Sequence, residues 1–310
     1  MWCIDGVESA FREKGKGGVS PSGVLGIPVA GGGFHAKAAM MTLSRPYFVV
    51  KTNANFPGNP SQRGLPTIQG LLLLFDAECG SPLAVMDSMS VTRIRTAAAS
   101  AVAAKHLSRR DARNAVFIGC GVQARPHVAA ISAVRTLELV YVYDIDAKRA
   151  EVFADELRAA YPFNVEVARN MYSATKASDI IVTLTSAMKA FVGPDDVPQG
   201  AFVAAVGADN EHKQEIEPEL LRGSALVVDD LEQCAAIGDL RAAIQASVLS
   251  RKDVRATLAE VVAGVKQGRL NDDETVVFDS TGVAIEDVAA AAIVYERASA
   301  NDGVRVDFGE

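Results

Sequence analysis

The chain has little concentrated positive charge and no long apolar run. Lysine and arginine number 31 against 38 acidic residues, which gives a formal net charge of −7, and no stretch concentrates the cations. Binding to a phosphate backbone needs such a cluster, so the composition argues against a nucleic-acid partner. Apolar runs such as Gly70 to Phe75 are far shorter than the roughly 20 residues of a membrane helix. We therefore expect a cytoplasmic protein that does not bind a membrane.

Cysteines and histidines are few and scattered. The 310-residue chain has four of each, without CxxC pairs or the spacing of metal ligands. This pattern predicts reduced structural thiols, no disulfide framework and no metal site. The residues are Cys3, Cys79, Cys120, Cys234, His35, His106, His127 and His212.

What the chain does contain is a glycine turn between two predicted strands. Val116 to Ile118 is a short apolar β-branched run, and Gly119 and Gly121 allow a tight turn beneath a pyrophosphate. The segment from Gln123 to Val134 predicts a helix whose N-terminus faces the phosphates. The pattern indicates a dinucleotide site, and the alternative is a glycine-rich turn in an ordinary α/β sheet.

The second strand of this motif, Tyr141 to Tyr143, ends at Asp144. A carboxylate about 20 residues past the turn can accept both ribose hydroxyls, which favours NAD. Lys148 and Arg149 lie close by and leave NADP possible. The predicted cofactor-binding residues are Gly119, Gly121, Val122, Gln123, Ala124, Asp144, Thr183 and Thr185.

The position of the turn predicts two domains. A chain of 310 residues exceeds a typical single core, and the residues before the turn must form something else. Short apolar runs between Val24 and Leu83 predict antiparallel strands, followed by an Ala-rich helix from Thr92 to Leu107. The final helix, Ile285 to Ser299, is also Ala-rich and is expected to return to this part. We predict a Rossmann-type parallel-sheet domain at 111–283 and a discontinuous α/β substrate and dimerisation domain at 1–110 and 284–310.

Helix and strand patterns continue to alternate after Asp144, which predicts a parallel sheet. Ligands bind beyond the carboxyl ends of such strands. Thr183 and Thr185 alternate with apolar residues at one strand end, and they are either cofactor contacts or surface threonines. Asp209 follows the apolar strand FVAAV through Gly207 and Ala208, and it is either a catalytic carboxylate or a turn residue.

Three cations in the N-terminal part lie in apolar or small surroundings. Lys51 ends the strand PYFVVK, where it is either an edge residue or an anion ligand. Arg95 begins a helix of small residues, and it has no partner there unless an anion such as a carboxylate or a cofactor phosphate lies above it. Lys37, in FHAKAAMM, is a weaker candidate.

Seven motifs in this order resemble the ornithine cyclodeaminase and mu-crystallin family. They are Lys51 with NFPGN, GLPTIQG, FDAECGSPLAVMD, RTAAASAVAAKHL, IGCGVQAR, VGAD and FDSTGVAIEDVAAAA. The resemblance runs from about Val7 to Ala298, and it implies that the chain begins part-way into the family's first helix. It implies a homodimer whose N-terminal domain forms the interface and whose Rossmann domain carries NAD(P).

The resemblance also implies residue roles. Lys37, Lys51 and Arg95 would bind a substrate α-carboxylate, and Asp209 matches the acid that handles the amine or imine proton; Lys51 and Asp209 are the predicted catalytic residues. Lys37 stands where arginine is common in the family. The segment GADNEHKQEI around Asp209 differs from the sequence typical of true cyclodeaminases. We therefore expect an NAD(P)H-dependent reductase of cyclic α-imino acids, yielding L-proline or L-pipecolate. The alternatives are ornithine cyclodeamination, an alanine dehydrogenase-like activity, or a non-catalytic ligand-binding protein.

Overall fold

A computed structural model describes residues 1–19, 23–299 and 302–306. The chain forms two compact units. The antiparallel-sheet unit comprises residues 2–10, 18–95 and 284–310, and the parallel-sheet unit comprises Met1 and residues 11–17 and 96–283. Residues 96–110, which the sequence-based division assigns to the N-terminal domain, thus belong to the parallel-sheet unit.

The elements of the described residues run as follows. The strands are β1 (Gly23–Val29), β2 (Gly32–Thr42), β3 (Pro46–Asn55), β4 (Ile68–Asp76), β5 (Pro82–Asp87), β6 (Asn114–Ile118), β7 (Leu139–Tyr143), β8 (Asn164–Val167), β9 (Ile180–Thr183), β10 (Phe202–Ala205), β11 (Ala225–Val228), β12 (Ala256–Thr257) and β13 (Val276–Asp279). The helices are α1 (Trp2–Gly15), α2 (Asn59–Arg63), α3 (Ser88–Leu107), α4 (Ala124–Ser132), α5 (Ala147–Ala160), α6 (Met171–Lys176), α7 (Pro218–Arg222), α8 (Leu231–Ile237), α9 (Asp239–Gln245), α10 (Leu258–Val262) and α11 (Ala284–Arg297).

Strands β1 to β5 form an antiparallel sheet in sequence order, as the alternating apolar runs predict. Alternate residues face opposite sides, so Tyr47 and Val49 on β3 are buried together with Leu72 and Leu74 on β4. Helix α11 packs across this face against β2, β3 and β4. The buried face and α11 form the core of this unit, and β3 lies in the middle of the sheet.

The parallel-sheet unit has eight strands in the order β12-β11-β13-β10-β9-β6-β7-β8, and all neighbouring pairs are parallel. Strands β9, β10, β11 and β13 are buried at every position, which explains their continuous apolar sequences. The direction in which the chain adds strands reverses between β6 and β9. The strands β7 and β8 lie on one side of β6, and the strands from β9 onwards lie on its other side. Ligands of open parallel sheets bind at this reversal, beyond the carboxyl ends.

Two predicted helices are shorter than their sequence patterns indicated. The helix predicted for 123–134 spans only Ala124–Ser132. The sequence pattern from Leu258 to Lys266 also predicts a helix, but this helix ends at Val262, because Gly264 has a φ of 74°, outside the helical region. The short helices α6 to α9 were not predicted, since a helix of two turns or fewer shows little periodicity.

Candidate active site

Gly119 closes the turn after β6 in a conformation that requires glycine. Its φ is 98°, and a Cβ at this position would lie 2.9 Å from the carbonyl oxygen of Leu184. Its N–H donates to the carbonyl oxygen of Tyr143 over 2.8 Å. The turn is therefore tied to the ends of both neighbouring strands, β7 and β9, at the point where the strand order reverses.

The residues after the turn fit a dinucleotide. A Cβ on Gly121 would enter open space, which leaves the backbone accessible to a ligand. The side-chain oxygen Oε1 of Gln123 is buried, and it has no hydrogen-bond partner among the described residues. Val122 is exposed, and Ala124 is fully buried where α4 begins. The helix N-terminus adds partial positive charge, so these residues are suited to a pyrophosphate.

Asp144 is held rigidly at the end of β7. Its Oδ2 accepts a hydrogen bond from the N–H of Cys120 over 2.8 Å, and its Oδ1 accepts one from the N–H of Asp146 over 2.9 Å. The guanidinium of Arg149 lies 3.9 Å from Oδ2. Burial, and then the charge of Asp144, raise the pKa of the Cys120 thiol to about 12, so this cysteine is protonated and not a nucleophile.

The predicted cofactor contacts Thr183 and Thr185 converge on Glu215, which was not predicted as a site residue. Both threonine hydroxyls donate to the Glu215 carboxylate over 2.6 Å. The N–H groups of Thr185 and Gly207 donate to the same carboxylate over 2.7 Å. Burial raises the pKa of Glu215, and the four hydrogen bonds act in the opposite direction. Glu215 thus ties the end of β9 to the end of β10.

Asp209 lies two residues beyond Gly207 in the loop after β10, and its side chain is half exposed. The ammonium of Lys213 donates to Oδ1 of Asp209 over 2.8 Å, and the side-chain amide of Asn210 donates to the same oxygen over 3.2 Å. Glu215 therefore anchors this loop at Gly207, and Lys213 orients the carboxylate of Asp209.

Two further carboxylates are buried near Glu215. Oδ1 of Asp239 accepts hydrogen bonds from the N–H groups of Glu215 and Ile216 over 2.8 and 3.0 Å. Burial, and then the charge of Glu215, raise the pKa of Asp239 to about 7. Asp279, the last residue of β13, accepts from the N–H of Leu240 over 2.9 Å, and burial raises its pKa well above the ordinary range. These acids are structural parts of the sheet end, and only Asp279 carried a signal in the sequence, as the polar end of an apolar strand.

Lys51 lies on β3, the central strand of the antiparallel sheet, with 4% of its surface exposed. The alternative of a solvated edge lysine is therefore wrong. Its Nζ donates to Oδ1 of Asp287 over 2.9 Å and lies 2.7 Å from Oδ2. Burial, and then the charges of Arg95 and Lys37, lower the pKa of Lys51 to about 8, and Asp287 partly offsets these effects.

Arg95 has the anionic partner that its sequence context requires, but the protein itself supplies this partner. Its Nε donates to Oδ1 of Asp287 over 3.0 Å, and its Nη1 donates to Oε2 of Glu286 over 2.7 Å. All three side chains are almost fully buried. Glu286 and Asp287 were not predicted, although two adjacent acids in the apolar helix AIEDVAAAA are a signal, since a buried charge requires a partner.

Lys37 completes the group of cations. It is paired with Lys51 across β2 and β3, and directly opposed residues project from the same face of a sheet. It is partly buried, and it lies close enough to affect the pKa values of both Lys51 and Asp287. The three predicted carboxylate-binding residues, Lys37, Lys51 and Arg95, are therefore brought together within the antiparallel-sheet unit.

Neither a metal centre nor a membrane span is found in the described part of the chain. Residues 1–19, 23–299 and 302–306 contain no group of three or more His, Cys, Asp or Glu side chains arranged to hold an ion. Over the same residues, every helix is too short or too polar to cross a bilayer.

Three known proteins are similar over most of their length. An archaeal alanine dehydrogenase, solved as a dimer with bound NAD, has 38% sequence identity and a TM-score of 0.93, covering 99% of this chain and 94% of that one. The Δ1-pyrroline-2-carboxylate reductase of Thermococcus litoralis, solved with NADH and L-proline, has 35% identity and a TM-score of 0.88, covering 95% and 91%. The Δ1-pyrroline-2-carboxylate reductase of Bacillus cereus is 34% identical over 79% of this chain and 76% of its own.

The family resemblance noted in the motifs extends to the whole sequence. The model of the ornithine cyclodeaminase/mu-crystallin family matches residues 2–302. Lys51, the glycine turn and the segment that contains Asp209 all lie inside this match, which is consistent with the order of the motifs. The chain belongs to the ornithine cyclodeaminase/mu-crystallin family.

Proposed function

We propose that this protein is an NADH-dependent reductase of cyclic α-imino acids, converting Δ1-pyrroline-2-carboxylate or Δ1-piperideine-2-carboxylate to L-proline or L-pipecolate. The observation that carries the proposal is the buried pair of Lys51 and Arg95 on one oxygen of Asp287, with Lys37 opposite Lys51. Converging cations of this kind suit a single α-carboxylate. The similarity to a reductase solved with NADH and L-proline supports this substrate class.

The parallel-sheet unit would hold the cofactor. The open backbone at Gly121, the unpartnered Oε1 of Gln123 and the N-terminus of α4 are suited to the pyrophosphate. Asp144 would accept the ribose hydroxyls and disfavour a 2′-phosphate, so we propose NAD rather than NADP. When bound, the cofactor supplies the hydride.

This chain's own residues would bind the substrate and move a proton. Lys51, Arg95 and Lys37 would hold the α-carboxylate and thereby fix the orientation of the imine carbon. Asp209, oriented by Lys213, would stabilise the protonated imine and relay the proton at its nitrogen. These roles require the protonated form of Lys51, so we expect activity to decline above about pH 8, where that ammonium loses its proton.

An alanine dehydrogenase-like activity is the second candidate, because the archaeal alanine dehydrogenase has 38% identity over nearly the whole chain. Its substrate is also an α-imino acid, formed from pyruvate and ammonia, so the same cations and the same carboxylate would serve. Discrimination between these substrates depends on the groups around the substrate side chain and not on the carboxylate-binding residues.

The experiment that tests the proposal compares substrates under one condition. Purified protein is mixed with NADH and either Δ1-pyrroline-2-carboxylate or pyruvate with ammonia, and NADH oxidation is followed by absorbance. A kcat/KM at least about tenfold higher for the cyclic imine supports the proposal, a difference of about 1.4 kcal/mol in transition-state binding. Preference for pyruvate with ammonia selects the second candidate, and ammonia release from ornithine with catalytic NAD⁺ indicates a cyclodeaminase.

We also propose that the protein forms a homodimer through the second face of the antiparallel sheet. Leu25, Ile27, Leu71 and Val85 lie on this face and are between 50% and 56% exposed. Large exposed apolar side chains gathered on one face mark an interface, and the archaeal relative was solved as a dimer. Sedimentation of the wild type and of Leu71→Lys tests this proposal. We expect the wild type to be a dimer and Leu71→Lys to be a monomer, and a monomeric wild type would contradict the proposal.

A further inference from the structure

The last helix of the chain contacts both principal cations of the proposed carboxylate-binding group. Glu286 and Asp287 lie in the first turn of α11, and their side chains are 0% and 1% exposed. They face Lys51 on β3 and Arg95 on α3, whose side chains are 5% and 6% exposed. The burial of four charges has a large desolvation cost, which ion pairing offsets. Here each of the four charged groups is paired.

We propose that Asp287 is the positioning residue of this group: it fixes the Lys51 ammonium and the Arg95 guanidinium together and keeps Lys51 protonated for binding a substrate carboxylate. The inference rests on the proposed function for the identity of the substrate. It concerns how the cations are held, which neither the family match nor the relatives' activities specify.

The geometry favours Asp287 over Glu286 in this role. Oδ1 of Asp287 accepts from Nζ of Lys51 over 2.9 Å and from Nε of Arg95 over 3.0 Å, so one atom holds both cations. Oδ2 lies 2.7 Å from the same Nζ. Glu286, by contrast, accepts a hydrogen bond from Nη1 of Arg95. The ion pair found for Lys51 in the described part of the chain is with Asp287. A lysine side chain is flexible, so a fixed acceptor is what determines where its ammonium lies.

The charge balance supports a role beyond packing. Lys51 is surrounded by Arg95 on α3, Lys37 on β2 and Asp287 on α11; Glu286 is bound to Arg95, and the Cys3 thiol on α1 lies near both Glu286 and Arg95. Arg95 and Lys37 disfavour the charged form of Lys51, and Asp287 favours it both by its charge and by its hydrogen bond. Removal of the Asp287 charge would therefore leave Lys51 neutral at lower pH. A neutral amine attracts a substrate carboxylate far less than an ammonium does.

The test measures kcat and KM against pH for wild type, Asp287→Asn and Asp287→Glu. The wild type is expected to lose kcat/KM as pH rises through the titration of Lys51. We call this fall of kcat/KM at high pH the alkaline limb of the pH profile, and in Asp287→Asn it should move to lower pH by about one unit or more. The KM for the imino acid should rise about tenfold or more, with a smaller change in kcat. Asp287→Glu retains the charge and should keep the limb near its wild-type position.

Glu286→Gln is the matched control, because it alters a neighbouring buried acid that is paired with Arg95 but not with Lys51. Its KM should rise, while its alkaline limb should move less than that of Asp287→Asn, because Asp287 still pairs with Lys51. An Asp287→Asn protein whose limb coincides with that of the wild type would overturn the proposal, whatever its loss of kcat. A purely structural defect lowers the active fraction without moving the limb.

Lys51→Arg keeps the inference testable if Asp287→Asn does not fold. A guanidinium does not titrate in this range, so the alkaline limb should disappear, and its persistence would show that Lys51 is not the group concerned. The proposed function is tested separately by the substrate that the wild type turns over. If that substrate is pyruvate with ammonia, the proposed function fails, while the movement of the limb still decides the role of Asp287.

Discussion

The backbone N–H of Cys120 donates a hydrogen bond to the carboxylate of Asp144 over 2.8 Å. This contact joins the two ends of the motif that first indicated a dinucleotide, the glycine turn after β6 and the acidic end of β7. Asp144 is therefore oriented by the turn, together with the N–H of Asp146. We expect cofactor selectivity to depend on both its position and its charge.

Asp144→Asn separates these two properties, because asparagine keeps an acceptor for the Cys120 N–H but loses the charge. We expect the KM for NADH to rise about tenfold, since hydrogen bonds to a charged group are worth about 1.5 to 3 kcal/mol. The KM for NADPH should rise less or fall, because Arg149, 3.9 Å from Oδ2, loses one of its two acidic neighbours and keeps only Asp146, at 4.0 Å. Both constants are measured in the same assay. Asp155→Asn, an exposed acid on α5, serves as the control, and equal changes for both cofactors would contradict a role in selectivity.

Asp209→Asn tests the proposed proton transfer. The variant retains the shape of the side chain and an oxygen for Lys213, but it cannot carry a proton to the imine nitrogen. We expect kcat to fall about 100-fold or more, the usual contribution of a positioned acid or base, with little change in the KM for NADH. Glu211→Gln, in the same loop and exposed, should retain wild-type kcat. A kcat for Asp209→Asn within about twofold of the wild type would assign the proton transfer to another group.

The sequence predicted most reliably the features whose signals are local. The glycine turn is one, because a positive φ at Gly119 and a small buried residue at Ala124 are requirements of the backbone at those positions. The apolar strands of the parallel sheet are another, since burial on both faces demands continuous apolar sequence. Each of these signals extends over only a few residues.

The partners of the predicted site residues were not predicted, because they lie far away along the chain. Lys51 and Asp287 are separated by 236 positions, and Arg95 and Asp287 by 192. No period or spacing connects residues at such distances. The sequence around Arg95 predicts an anionic partner, but whether a ligand or the protein supplies that anion depends on which helix packs on the sheet. Glu215 had even less signal, because its role arises only where the ends of β9 and β10 meet.

Glu215→Ala tests the role of the buried carboxylate that joins these strand ends. The substitution leaves four donors without an acceptor: the hydroxyls of Thr183 and Thr185 and the N–H groups of Thr185 and Gly207. Because each buried unsatisfied group costs about 1 to 3 kcal/mol, we expect the free energy of unfolding in urea to fall by about 4 kcal/mol. Glu219→Gln, an exposed residue on α7, should change it by less than about 0.5 kcal/mol. A similar small change in Glu215→Ala would mean that water replaces the carboxylate at little cost.

His127, on α4, should make stability depend on pH. It is fully buried, its Nδ1–H donates to the carbonyl oxygen of Gln123 over 2.7 Å, and its Nε2 lies 3.0 Å from the hydroxyl of Ser100. Burial lowers its pKa from 6.5 to about 4. The unfolded chain therefore binds more protons between these values, so the stabilisation is complete above about pH 6.5 and is lost as pH falls towards about 4.

His127→Gln removes this proton linkage, although it also lowers stability at neutral pH. The free energy of unfolding of the wild type should fall by roughly 3 kcal/mol more than that of the variant between about pH 6.5 and 4. Asp239, whose pKa is raised to about 7, contributes the opposite slope over the same range, but it does so in both proteins and cancels in their difference. Urea unfolding at a series of pH values gives the two curves. Parallel curves for His127→Gln and wild type would mean that His127 takes up a proton in the folded state as readily as in the unfolded chain.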